Sequence, residues 1–323
     1  MSRSWIRWGA ALLALGFIAA VVVVSSTSES NDGGRPKPGT PAAAAPVTQS
    51  EYSNIYVVDL KPRATPKQLT HNQGEQVGES PSWSEQGRIA FAQSECERCP
   101  SRLLATAAGG RADARMLGDV GNVYQPAWSP DGRRIAVARS GSGIFVITLR
   151  DGSARRLTSG GSDGAPAWSP DGRVILFQRQ VTATNWDIYR VRPAGGGLRR
   201  LTHDRLQQLH PSWSPDGARI AFAEQEENGN WVIFSMRADG SNRKRLTDEH
   251  SSSQDPSWSP DGRKIAFIAQ AGERASVSLI DAGGGIPRQL TGSSLAASGP
   301  VWSPDGTEIA FAAHELQKGH QHH

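Results

Sequence analysis

Short apolar runs without polar alternation recur along the chain, as in Ile220-Ala221-Phe222 and Ile265-Ala266-Phe267. A run of this kind suits a strand covered on both faces. Each run follows a short segment ending in tryptophan, and in five of six copies Trp-Ser-Pro-Asp-Gly lies between them. Ser-Pro-Asp-Gly suits a tight turn: Ser favours the first position, Pro sets the angle of the second, and Gly accepts the positive φ needed to re-enter a strand. The pair predicts a hairpin. The tryptophans are Trp83, Trp128, Trp168, Trp213, Trp258 and Trp302, 40 to 45 residues apart. Blade-like repeats have that period.

The rest of each period predicts two more strands. Gly143–Ile147, Asp187–Val191 and Val232–Met236 read as third strands. A Gly-rich turn follows, such as Asp151-Gly152 or Gly195-Gly196-Gly197. A fourth strand then ends in Leu-Thr, as at Leu157-Thr158, Leu201-Thr202, Leu246-Thr247 and Leu290-Thr291. Asn54–Leu60 and Gln68-Leu69-Thr70 supply third and fourth strands with no first two, and Pro300–Ala313 supplies a first two with no others. The expected fold is all-β: a six-bladed propeller of four-stranded blades over 51–313, the N-terminal strands completing the last blade and removing open edges.

The Trp-Ser-Pro-Asp-Gly copies, the period and the Leu-Thr strand ends together resemble the TolB-like propeller repeat family, over roughly residues 52–313. The resemblance implies an envelope or secreted protein. The first copy departs, reading Trp83-Ser84-Glu85-Gln86-Gly87 with one residue fewer before Ile89, which predicts an altered register there. Nothing corresponds to the α/β domain that precedes the propeller in TolB itself, so that protein's partners do not transfer directly.

Residues 1–24 carry Arg3 and Arg7 ahead of an uncharged apolar run, Trp8 to Val24. Two readings stand: an uncleaved single-pass anchor with the N-terminus cytoplasmic, or a cleaved signal segment leaving a secreted or periplasmic protein. Both place the bulk of the chain outside the cytoplasm. Residues 25–50 are Ser, Pro, Gly and Ala with few large apolar groups, the composition of a disordered linker. A tail, 314–323, holds His320, His322 and His323. The 35 Gly and 20 Pro sit mainly in turns and linker, and a net charge of +4 gives no basis for nucleic-acid binding. A monomeric propeller is expected.

In a propeller the tight turns share one face, and the loops joining strands four to one and two to three share the other. Those loops differ from copy to copy, so binding is assigned to their face. The residues just before each first-strand proline, Ser80, Gln125, Ala165, His210, Asp255 and Gly299, are expected to ring the channel mouth, with Tyr124 beside them. His210 and Asp255, on adjacent blades, could share a cation or polar ligand, or belong to a merely solvated rim. Two scattered ligands make no recognisable metal site, so no cofactor is expected, with a divalent cation at the mouth left open. Trp186 and Trp231 occupy equivalent places beside that face and could anchor a partner or pack between blades. Cys96 and Cys99 are expected to form a local disulfide outside the cytoplasm, with a redox pair or shared metal site as alternatives. No catalytic set is recognisable. The function expected is a non-catalytic scaffold binding an envelope protein or small ligand. The alternative is an envelope hydrolase or lyase with a polar or metal site at the mouth.

Overall fold

The computed structural model describes residues 53–316, apart from 62–63, 73–76, 96–98, 110–113, 118–120, 249–251, 273 and 293, and without the side chains of 77–79. The expected N-terminal segment, linker, Cys96 and histidine tail lie outside the described residues. Every regular element among the described residues is a strand, and no helix there is long and apolar enough to cross a membrane.

The chain opens with β1 (Asn54–Asp59) and β2 (Lys67–Gln68). A first four-stranded sheet follows: β3 (Val77–Trp83), β4 (Arg88–Ser94), β5 (Arg102–Ala107) and β6 (Arg115–Met116). The second holds β7 (Val123–Trp128), β8 (Arg134–Arg139), β9 (Gly143–Thr148) and β10 (Ala154–Arg156). The third holds β11 (Asp163–Trp168), β12 (Ile175–Thr182), β13 (Asn185–Val191) and β14 (Arg199–Arg200). The fourth holds β15 (Gln208–Trp213), β16 (Arg219–Gln225), β17 (Trp231–Arg237) and β18 (Lys244–Arg245). Next come β19 (Ser252–Trp258), β20 (Lys264–Ala271), β21 (Arg274–Asp281) and β22 (Arg288–Gln289). The last two are β23 (Leu295–Trp302) and β24 (Glu308–Glu315).

Four sheets are therefore four-stranded meanders, and a fifth is eight-stranded. The larger sheet joins β19–β22 to a set ordered β23-β24-β1-β2, the two halves meeting at one parallel pair, Ala275 with Ala296. Within it β1 runs antiparallel to β24 from Asn54–Ala313 to Asp59–Glu308. Each sheet's first strand neighbours the next one's, and β23 neighbours β3. The molecule is an all-β propeller.

Packing between successive sheets follows one rule. Second strands other than β12 alternate large and small side chains through the first three residues of their buried centre, β12 having Leu176 at the small position, and a strand sends alternate residues to opposite faces. Ile220 and Phe222 of β16 pack back against Leu176 and Ile188 of the preceding sheet. Ala221 and Ala223 face forward and leave room for Ile265 and Phe267 of β20. Ala266 in turn meets Ile309 and Phe311 of β24. Ala310 and Ala312 of β24 meet Ile89 and Phe91 of β4, so the last sheet and the first are joined by the same large-into-small contact. These side chains are almost wholly removed from water.

The turns are built as their composition predicts. In the second sheet Ser129 Oγ donates to Asp131 Oδ1 at 2.5 Å and accepts the Arg134 N–H at 2.9 Å. The Arg133 N–H also reaches Asp131 Oδ1, and Gly132 takes φ +64°. Ser–Asp bonds recur at Ser169–Asp171, Ser214–Asp216, Ser259–Asp261 and Ser303–Asp305, all 2.6 Å. In these four the serine hydroxyl, then the N–H two residues past the Asp, hold the carboxyl below its usual range. At Asp131 burial is the largest influence and opposes this, yet the same donors with Arg134 prevail. The first copy does not change register as expected. Trp83 pairs with Ile89 just as Trp128 pairs with Ile135, because apolar pairing fixes the register and the missing residue is taken from the turn.

Fourth strands do more than end the sheet. The threonine of Leu-Thr accepts a third-strand N–H through Oγ1: Thr70 from Ile55, Thr158 from Ile144, Thr202 from Ile188 and Thr247 from Ile233, each at 2.9 Å. Two residues before three of the leucines, a basic side chain reaches a turn carbonyl of the next sheet. Lys67 donates to Gly109 at 3.2 Å, Arg155 to Ala194 at 3.1 Å and Lys244 to Gly283 at 2.7 Å. These charges clasp neighbouring sheets as well as guarding an edge.

Candidate binding site at the channel mouth

Each first strand carries a bulge at the same place. Pairing with the second strand skips between Glu79 and Ser82, Tyr124 and Ala127, Gly164 and Ala167, Leu209 and Ser212, Gln254 and Ser257, and Ser298 and Val301. The residue before the proline takes the left-handed conformation every time: Ser80, Gln125, Ala165, His210, Asp255 and Gly299, with φ between +46° and +55°. For a residue with a Cβ this costs about 1–3 kcal/mol and persists only where surrounding structure imposes it. Five of the six have one. Bulges re-aim side chains and backbone groups out of a ladder, and here they free one N–H per copy at the inner end of each sheet.

Neighbouring copies satisfy several of these N–H groups. Gln125 Oε1 accepts from Ala165 N at 2.7 Å. Gln178 Oε1 accepts from His210 N at 2.9 Å, standing in for Ala165, which has no polar side chain. Asp255 Oδ2 accepts from Gly299 N at 2.9 Å. Hydrogen bonds thus run sideways from one sheet to the next around the inner rim. Gly164 sits between the two glutamines; a Cβ there would lie 3.0 Å from Gln125 Oε1 and 3.3 Å from Gln178 Nε2.

His210 Nδ1 lies 2.5 Å from Asp255 Oδ1, each side chain about one-fifth exposed. At that distance the two side chains form an ion pair whenever the imidazole is protonated. Burial favours neutral imidazole, but the Asp255 carboxylate outweighs it and raises the His210 pKa. For Asp255 burial pulls upward, and the His210 charge with the Gly299 N–H brings the net effect below the usual range. Both Asp255 oxygens are thereby engaged inside the protein.

Tyr124 is largely buried and its hydroxyl donates weakly to the Asp163 carbonyl at 3.4 Å. Burial, then the Asp163 carboxylate, pushes the phenol up to about 12. The Asp163 side chain is enclosed and takes both Nε and Nη2 of Arg179 at 2.7 Å. Trp231 packs against the core between the fourth sheet and β20, whereas Trp186 is half-buried and belongs to no core cluster. Of the expected residues, His210 and Asp255 are brought into contact; Tyr124 packs against the core between the second and third sheets, and the two tryptophans stand on third strands. The sequence places Gln125 at the mouth without assigning it a bond, and Gln178 carries no repeat signature at all. Cys99 is disulfide-bonded, and Cys96, the chain's other cysteine, is outside the described residues. Among the described residues no three His, Cys, Asp or Glu side chains are grouped to hold a metal.

Comparison with known proteins supports the fold and the repeat. No curated protein matches the sequence. A candidate TolB from Agrobacterium tumefaciens is 25% identical, with a TM-score of 0.71, covering 83% of this chain and 100% of that one. TolB from Acinetobacter baumannii is 20% identical, with a TM-score of 0.58, covering 82% of this chain but 64% of its own length. An oligogalacturonate lyase solved with manganese is 13% identical, with a TM-score of 0.53, covering 83% and 98%, a likeness of fold alone. The family model described as the TolB beta propeller domain matches residues 17–181 and 80–304. With its Trp-Ser-Pro-Asp-Gly turns, bulged first strands and matched family model, the chain belongs to the TolB beta propeller domain family.

Proposed function

We propose that the chain is an extracytoplasmic six-bladed propeller, tethered by its N-terminal segment, that binds an envelope protein at the channel mouth without catalysing a reaction. The eight-stranded sheet is read as two blades, and the β1–β24 pairing as the seam that closes the ring. The observation that carries the binding assignment is the ring of left-handed bulge residues. Their strain is repeated at six equivalent positions, and four of them, Ser80, Gln125, His210 and Asp255, carry polar side chains. Propellers use the channel mouth for ligands. Family membership supports an envelope setting, and the apolar run from Trp8 to Val24 supports the tether. The lyase neighbour carries no argument for catalysis, since its likeness is of fold alone.

The test is co-purification of the full chain from gently solubilised membranes, beside a variant with Tyr124, Trp186, His210, Trp231 and Asp255 all changed to Ala. A partner retained by the first and lost from the second supports binding at the mouth. A partner held by both moves the interface to the blade sides or the N-terminal segment. Recovery of the protein in the soluble fraction, shortened at its N-terminus, would remove the tether.

A further inference from the structure

The bulges determine which end of each mouth side chain is left for a ligand. A freed N–H needs an acceptor, and the neighbouring side chain supplies its oxygen. Gln125 and Gln178 both spend Oε1 in this way. That fixes the orientation of each amide, because only the oxygen can accept. Their Nε2 groups are left over: among the described residues neither has a hydrogen-bond partner, and Gln178 holds its amide in a largely buried setting. Asp255, the one carboxylate paired with His210, spends Oδ1 on the imidazole and Oδ2 on Gly299 N. His210 turns Nδ1 to Asp255, and its Nε2, in a side chain about one-fifth exposed, has no partner among the described residues. His210 and Gln178 are held together, since Gln178 grips the His210 N–H itself.

Acceptors on this side of the mouth are consumed within the protein, and donors are what remains. From this geometry we infer, resting on the binding reading above, that the mouth takes a carboxylate carried on a protein segment, held by His210 Nε2–H and the Gln178 amide with Gln125 beside them. A cation is disfavoured, because the carboxylate that would hold it is already satisfied twice. Among the described residues Asp255 is the only charged group set against His210; Asp163 and Arg179 are committed to each other. Charged imidazole donates from both nitrogens. Neutral imidazole holding its proton on Nδ1 for Asp255 would turn the Nε2 lone pair toward the ligand. Carboxylate binding therefore weakens as pH rises through the raised pKa of His210.

The experiment titrates the full chain, in detergent, with four probes: a blocked tetraglutamate peptide, its tetraglutamine counterpart, a blocked-amine tetra-alanine with a free C-terminal carboxylate, and succinate. The readout is the His210 ring resonance, assigned by its disappearance in His210→Gln. Tetraglutamate should move that resonance and bind about tenfold or more tightly than tetraglutamine, the scale of one charge-assisted hydrogen bond. The alanine peptide and succinate tell a side-chain carboxylate from a chain terminus or a small acid. Gln178→Glu keeps an oxygen for His210 N but turns a second oxygen to the ligand, and should cost about tenfold. Asp255→Asn should lower the pH at which binding fades. Equal binding of tetraglutamate and tetraglutamine, binding that leaves the His210 resonance in place, no binding at all, or an unaffected Gln178→Glu variant each overturns the inference. If carboxylates fail while a partner still depends on the mouth in the co-purification, the scaffold reading stands without this ligand class. If carboxylates bind and no partner is found, the reverse holds.

Discussion

The large-into-small packing makes a quantitative demand at the seam. Phe91 is fully buried and faces Ala310 and Ala312 across the junction of the first and last sheets. Phe222 is fully buried in the equivalent place between the third and fourth. Burying an aromatic ring removes about 150 Å² or more from water, which at about 25 cal/mol per Å² gives about 4 kcal/mol. Phe→Ala changes in cores fall at about 3–5 kcal/mol once the cavity is included. Phe91→Ala and Phe222→Ala should therefore cost about the same, read as matching falls in the urea midpoint at unchanged slope. A second arm uses the facing alanine. Ala310→Leu alone overpacks and should cost about 1–3 kcal/mol, but combined with Phe91→Ala it grows into the vacated space. The double variant should recover about 0.5–3 kcal/mol relative to the sum of the singles. If Phe91→Ala loses less than about 1 kcal/mol while Phe222→Ala loses the full amount, the seam is not packed like other interfaces and the closed ring is wrong.

Four further expectations concern backbone and charge. Gly143 has φ +101° and a Cβ there would lie 2.7 Å from the Thr158 carbonyl, whereas Gly152 has φ +68° and open space; Gly143→Ala should lower the melting temperature clearly more than Gly152→Ala. Thr247→Val strands the buried N–H of Ile233 and should cost about 1–3 kcal/mol by chemical denaturation. Asp131, Asp171, Asp216, Asp261 and Asp305 are all lowered in the folded state, so their contribution is present above the ordinary Asp range and lost as pH falls through their folded values; a melting profile should drop on acidification, and replacing all five with Asn should flatten that drop. His210 has the opposite sign: its raised pKa adds stability that is complete below its unfolded value and fades as pH climbs through the folded one, so the melting gap between the native chain and Asp255→Asn should close toward alkaline pH.

Turn chemistry made the scaffold readable. Ser-Pro-Asp-Gly and Leu-Thr carry their conformations in their own side chains, so counting them placed the hairpins and the strand pairs that β1 and β24 bring together. The bulges are another matter. A residue before proline is steered toward extended backbone, and Gln125, Ala165 and His210 share no side-chain property that announces positive φ. Sheet packing imposes it. Repeat arithmetic brought His210 beside Asp255, yet nothing in the sequence says that Asp255 is saturated or that Gln178, four residues into a second strand, reaches across to His210. At Trp83 the shorter turn does not shift the strand, because cross-strand pairing overrides turn length.

Where large side chains alternate with Ala, a blade has a protruding face and a receiving face, like a plug and its socket; in β12 Leu176 partly fills the socket. A tandem copy of one repeat arrives already fitted to both neighbours, with no compensating change needed at the new junction. A copy inserted backwards, or a fragment cut between second and third strands, would meet plug with plug. Rings of this kind can therefore lengthen or shorten by whole periods, and the limit on their size is set by how far each socket turns the next plug rather than by any single contact.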